Sequence, residues 1–277
     1  MMLPLVCPPH MPPALAAAVS AMDAPPEEGG RPLSTDETWS AMLWAVELSD
    51  VAFLRALAER EPELANISAP ISLMSIVCVR DAAPADRIAM LEIFRDYKVS
   101  ADVYRAAPFR FANLLMSACA GGCADIVRWL IDQGYTGDAE RHQEALKMAA
   151  RVQNLECFRL IAALGARWGP ETGGPLTEYS FENLCARDDG AFVQAMCAAG
   201  AIPTTRTIIF ATEKDAAASA LLAACPAAVA QAVSGIDTHP RTGSAEEIKA
   251  VRERDRAYWA AARARAEACI APGSPGT

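Results

Sequence analysis

Nine cysteines and three histidines carry most of the chemistry open to this chain. The cysteines stand at positions 7, 78, 119, 123, 157, 185, 197, 225 and 269. Their number is odd and no tight CxxC pair occurs, so neither a disulfide framework nor a zinc knuckle is indicated. Cys119 and Cys123 are four residues apart and could face the same way on a helix, the one spacing that invites a metal ion. His10, His142 and His239 are far from one another in sequence, and His142 follows the charged stretch Asp138-Ala-Glu-Arg, which reads as a solvated turn rather than a catalytic base. No Gly-x-Ser-x-Gly, P-loop or His-Glu-x-x-His pattern is present. The glycine pairs at 121–122 and 173–174 read as a helix-to-helix turn and a loop, not a phosphate cradle. We therefore expect no catalytic residue, no metal site and no cofactor.

The elements that hold these residues should be helices. Hydrophobic content is 52% with only 6% aromatics, and the long runs are built on Ala and Leu, strong helix formers that pack closely. A net charge of −9 and a pI near 5.0 argue against nucleic acid and anionic membrane, whose recognition relies on Lys and Arg. No uninterrupted apolar stretch reaches the length of a membrane span. Residues 1–34 are rich in Pro and lack a helical period, so they are expected to form a mobile leader that can be deleted at no cost in stability. Pro4, Pro8, Pro9, Pro12 and Pro13 interrupt it, and no Lys or Arg precedes Arg31, which is unlike a signal peptide. A reducing, cytoplasmic setting and a monomer are the corresponding expectations.

Laying the chain on itself reveals a repeat. Ala45-Val46 is followed by Phe53-Leu54, Ala118-Cys119 by Ile126-Val127, Ala149-Ala150 by Cys157-Phe158, and Leu184-Cys185 by Phe192-Val193; the offset from small pair to bulky pair is eight residues each time. In three of these segments a glycine stands seven residues after the second bulky position: Gly134, Gly165 and Gly200. Glycine there supplies the left-handed conformation that closes a helix, so each unit is two short helices and a turn. Cys119 and Cys185 fall on the small pair and Cys157 on the bulky pair, where free cysteine acts as a small hydrophobe. A weaker unit is placed at about 70–100, with Met90-Leu91 as its bulky pair and an insertion near Ala83-Pro84. A last one is placed at about 204–235, with apolar faces from Ile208, Ile209, Leu221 and Leu222.

The segment Ala118-Cys-Ala-Gly-Gly-Cys-Ala-Asp-Ile-Val-Arg-Trp-Leu-Ile-Asp-Gln-Gly134 resembles the ankyrin repeat in almost every position, and Ala149 to Ala166 matches equally well. The resemblance covers roughly residues 36–235. It implies an all-α ankyrin-repeat solenoid of five to six units at 35–235, with 236–277 as linker, C-terminal helix and tail. The family's Thr-Pro-Leu-His opening is missing: Asn113-Leu-Leu-Met116 and Glu144-Ala-Leu-Lys147 stand in its place, so a less regular array is expected.

What the resemblance implies about function is a protein–protein interaction module that binds a protein partner on its concave surface and turn tips. The family's variable positions, carried over by register, are Glu47, Leu48, Phe109, Arg110, Ala112, Ala120, Glu140, Arg141, Gln143, Arg151, Val152, Leu176, Glu178 and Arg187. Trp168 follows Gly165-Ala166 in a long loop and reads either as a residue tucked under the turn or as an exposed anchor. Two alternatives share the scaffold: an effector or inhibitor that acts on a host or a competing system, and an enzyme or metal-dependent domain. Residues 244–271 follow a helical period with an apolar face of Ile248, Val251, Tyr258 and Trp259, and read as a helix that caps the last unit or serves as a detachable ligand for a partner.

Overall fold

The computed structural model describes residues 5–8, 10–22, 24, 31–60, 73–98, 113–168, 175–237 and 242–270, of which 175–180 and 268–270 are described by backbone alone. Among the described residues every regular element is helical. The chain forms two compact units, residues 1–148 and 149–277. The first holds α1 (Pro13–Ala21), α2 (Thr35–Leu48), α3 (Val51–Arg60), α4 (Leu73–Val79), α5 (Pro84–Asp96), α6 (Leu114–Ala120), α7 (Ala124–Asp132) and most of α8 (Ala139–Arg151). The second holds the end of α8, α9 (Leu155–Ala163), α10 (Pro175–Ala186), α11 (Gly190–Ala198), α12 (Thr205–Ala211), α13 (Asp215–Ala224), α14 (Pro226–Ser234), a 3-10 turn at Gly235–Asp237, and α15 (Ala245–Ile270).

Consecutive helices pair, and alternate helices stack. In the first unit α2 packs on α3, α4 on α5 and α6 on α7, while α2, α4 and α6 form one row and α3, α5 and α7 another. In the second, α10, α12 and α14 form one row and α9, α11, α13 and α15 another. The repeated pairs lie where two such rows meet. Ala45, Val46, Leu54, Ala118, Cys119, Ile126 and Val127 are wholly buried in the first unit, as are Ala149, Cys157, Phe158, Cys185, Phe192 and Val193 in the second. The small member lets one helix approach closely while the bulky member of the next fills the gap, which is why the offset stays at eight.

Each unit turns through a left-handed residue three positions after the second small residue: Ser49, Gly122, Gln153 and Asp188 all have positive φ. Only one of the four is glycine, although a side chain there is uncommon. In three of the four the next residue caps the second helix. Asp50 Oδ1 accepts from Phe53 N at 2.9 Å, Asn154 Oδ1 from Cys157 N at 2.9 Å and Asp189 Oδ1 from Phe192 N at 3.0 Å. In these three pairs the first bulky residue is thus fixed by its own amide as well as by burial, whereas Cys123, at the same place before α7, makes no side-chain cap.

The helix-closing glycines Gly134, Gly165 and Gly200 have φ of 79°, 93° and 106°. Lys98, seven residues after Leu91, takes the same conformation at 55°, and Met90 and Leu91 are buried. Its insertion lengthens α5 to 13 residues against 9 for α7. The added turn carries Arg87, which is only 4% exposed and donates through Nε to Val77 O at 3.0 Å and through Nη2 to Cys78 O. A guanidinium thereby closes the carbonyl end of α4.

The leader departs from its expectation. α1 begins after Pro12 with Pro13 in its first turn, where a proline's missing N–H costs nothing. Leu15, Ala18 and Val19 are buried and α1 packs on α2, so this segment belongs to the first unit. At the other end α15 packs on α13 and on the 3-10 turn, with Trp259 2% exposed and Tyr258, Ile248 and Val251 half-buried. Trp259 Nε1 donates to Thr212 Oγ1 at 3.2 Å and the Tyr258 hydroxyl to Asp215 Oδ1 at 3.2 Å.

Candidate partner-binding face

The row of first helices positions most of the residues carried over by register. In the first unit Glu47 and Leu48 are exposed at the end of α2, and Ala120 is exposed at the end of α6. Between these elements in sequence, α4 ends in Val79, 50% exposed, and is followed by Arg80, whose Nη2 donates to the Glu47 carbonyl. Val79 and Arg80 were missed because the small pair of this unit was left without a register; they occupy the places of Glu47 and Leu48 one helix on.

At the start of α8, Glu140 and Arg141 are exposed and Gln143 is half-buried. Asp138 Oδ1 accepts from Arg141 N at 3.0 Å, and Asn113, which caps α6 by accepting from Met116 N at 2.7 Å, donates Nδ2 to Arg141 O at 3.2 Å. One asparagine thus joins the openings of two successive units. Gln143 Oε1 and His142 Nε2 are buried without a partner among the described residues.

In the second unit Arg151 and Val152 are exposed at the end of α8, and Arg187 is exposed after α10, its Nη1 donating to Gln153 Oε1. Arg206 on α12 pairs with Glu182 on α10 at 2.9 Å and lies 5.9 Å over the ring of Phe210, itself 38% exposed. Arg206 and Phe210 were missed; their i,i+4 spacing on a short helix was the available signal. From Val152 through Gln153, Arg187, Glu182 and Arg206 to Phe210, each step is a bond or a ring contact or lies along one helix. The strip is basic and apolar in a chain whose net charge is −9.

Trp168 does not belong to this face. It is 7% exposed, its N–H donates to Ala199 O at 2.6 Å, and its ring lies 6.2 Å from that of Phe158, which in turn meets Phe192 at 5.1 Å. Of its two readings the tucked one holds, because the close turn at Gly200 passes over its backbone. Phe109, Arg110 and Ala112 lie outside the described residues. Leu176 and Glu178 lie on α10, but their side chains are outside what the structure describes.

Cys78, Cys119, Cys157 and Cys185 are buried in the core, and Cys7, Cys123, Cys197 and Cys225 are half-buried. Burial pushes the Cys78 and Cys185 thiols up to about 12, and burial beside Cys225 pushes Cys197 up as well. Cys119 ends α6 buried while Cys123 precedes α7 half-buried, with the left-handed turn at Gly122 between them, so the two are not on one helix. Among the described residues no group of three or more His, Cys, Asp or Glu side chains is placed to hold a metal ion, and no single helix is long and apolar enough to cross a membrane. No family model, curated protein or solved structure matches this chain.

Proposed function

We propose that the chain is an ankyrin-type binding module whose work is to hold a protein partner on the ends of its first helices and the turns that follow them. The observation that carries this reading is the contrast within each unit: the paired core positions are buried, whereas the one or two residues immediately after them open to solvent at the ends of α2, α4, α6, α8 and α10. Variation there leaves the core untouched, which is how stacked helix pairs present a surface that can be tailored to a partner. The polar openings that replace the family's Thr-Pro-Leu-His fit the same reading. Ser34 with Glu37, Asn113 and Thr204 with Thr207 supply helix caps by other side chains.

In the second unit the residues are of the kinds that dominate binding energy, exposed arginines beside aliphatic and aromatic side chains. Arg151, Val152, Arg187 and Phe210 are the anchors we assign, and a partner with an acidic, apolar-centred contact suits them. The test is partner capture from lysate with the full chain, read by quantitative mass spectrometry, beside Arg151→Glu with Arg187→Glu. Proteins enriched by the parent should fall at least about tenfold with the double variant, while its circular dichroism stays unchanged. Equal enrichment by both chains would remove this face from the function.

A further inference from the structure

The last helices leave a space that the stacking does not fill. α14 packs on α12 and α13, α15 packs on α13, and between α14 and α15 runs a groove of about 600 Å³ floored by Leu222 of α13. Val229, Ala230 and Val233 form one wall at helical spacing, and Trp259, Ala260 and Ala266 form the other. Arg256 and Arg263 also line it, two turns apart on α15, with Glu267 beyond them. All of these residues lie in the second unit.

Volume limits the occupant. Small-molecule sites span about 300–1,000 Å³. The apolar walls require an apolar body. Polarity limits the head group: among the described residues Arg256 pairs with Asp237 at 2.7 Å and Arg263 with Glu267 at 2.7 Å, and both pairs are about half or more exposed. Such surface pairs contribute little and exchange readily, so an incoming carboxylate can take either guanidinium in bidentate fashion. Two arginines and the two carboxylates that pair with them balance at the groove mouth, so an incoming anion binds by displacing one of those carboxylates.

We propose that the groove between α14 and α15 binds one anionic amphiphile, an aliphatic chain of about ten or more carbons ending in a carboxylate. The tail lies along Val229, Val233 and Trp259, and the head displaces Asp237 or Glu267 from its arginine. This site is separate from the strip of first-helix ends and does not depend on that strip's role.

The probe is dodecanoate below its micellar concentration, titrated into the full-length chain by calorimetry and by tryptophan fluorescence, with dodecyltrimethylammonium and hexanoate in parallel. We expect saturable binding of one dodecanoate, at least about tenfold weaker binding of the cation and of the short chain, and quenching that disappears in Trp259→Phe. Ala230→Phe and Ala260→Leu each fill the groove from an exposed position, so neither disturbs the core, and each should weaken dodecanoate about tenfold or more with unchanged helicity. Arg256→Gln with Arg263→Gln should abolish the preference for anion over cation. Absence of saturable binding overturns the proposal, as does parent-like binding by a filled variant that keeps its fold, or equal affinity for the two head groups. Binding of an amphipathic Leu/Glu helical peptide in place of dodecanoate would reassign the groove to a protein segment and overturn it as well.

Discussion

Arg87 completes a helix that has no glycine or side chain of its own to do so. It is buried on the added turn of α5, and its guanidinium satisfies the carbonyls of Val77 and Cys78 at the end of α4. The fit is close: a Cβ on Gly121 would strike the Cys78 carbonyl oxygen, and the Arg87 guanidinium lies 3.1 Å from that position. Arg87→Met keeps the bulk but strands the Cys78 carbonyl and leaves Val77 O with only the long bond from Arg80 N at 3.4 Å, so unfolding in urea should cost about 1–3 kcal/mol less than for the parent. Arg87→Lys, with a point charge in place of a fork, should fall between. A loss below about 0.5 kcal/mol for Arg87→Met would show that water serves these carbonyls instead. A second residue reports on acid. Glu37 is held at about 2 rather than 4.5, first by its hydrogen bond from Arg31 and then by the Ser34 backbone and hydroxyl. Because the folded value is depressed, its contribution is complete above about 4.5 and is lost as pH falls toward 2. The Glu37 carboxyl resonance should therefore titrate near 2 in the parent, and Arg31→Ala should move it upward; no movement would leave the capping interaction with Ser34 as the sole cause.

The helices that close the two ends differ in how plainly they could be read. α15 announces itself by Ser244 three residues before Glu247 and by apolar residues at helical spacing, and the Ser244 hydroxyl and amide both donate to Glu247 Oε2 at 2.8 Å. α1 was hidden by its prolines, which mark breaks inside a helix but are harmless at its first position. The Ala-rich stretch after Pro13 was sufficient for a helix once Leu15 and Val19 had α2 to pack against. Trp259→Ala removes the largest buried side chain of α15 and should lower the melting temperature by several degrees, in line with about 3–5 kcal/mol for a buried aromatic. Deleting residues 1–24, expected from sequence alone to change nothing, should now lower it too and increase dye binding to the bared face of α2. An unchanged melting temperature would mean that α1 rests on α2 without stabilising it. Elsewhere the core pairs were legible because burial enforces their size and spacing. The turns were not, since Ser49, Gln153 and Asp188 carry a glycine-like φ without being glycine. The proposed partner-contact residues were half legible: in the second unit Arg151, Val152 and Arg187 follow the repeat register but Arg206 and Phe210 lie where it weakens, and in the first unit Val79 and Arg80 lie where an insertion breaks it.

Packing that links each helix mainly to its pair and to the alternate helices beside it has a consequence for cooperativity. Within the first unit α4 is held on both sides, by α2 and α6, whereas α1 touches the stack through α2. Within the second, α13 lies between α11 and α15 and also meets α12 and α14, whereas α15 has α13 on one side and the open groove on another. The ion pairs that tie α15 down, Arg254 to Glu213, Arg265 to Asp215 and Arg256 to Asp237, are all exposed and add little. Stability in such an arrangement is a sum of terms between neighbours, so opening should begin where a helix has fewest of them. Native-state hydrogen exchange should then show graded protection. Amides of α11 and α13 around Val193 and Leu221 should exchange slowest in the second unit, and those of α15 should exchange faster by about 1–3 kcal/mol of opening free energy although its Trp259 is equally buried. In the first unit the amides of α4 and α6 should outlast those of α1. A single protection value shared by α1, α6, α13 and α15 would instead mean that the chain opens only by global unfolding, and neighbour-by-neighbour stacking would not be the source of its stability.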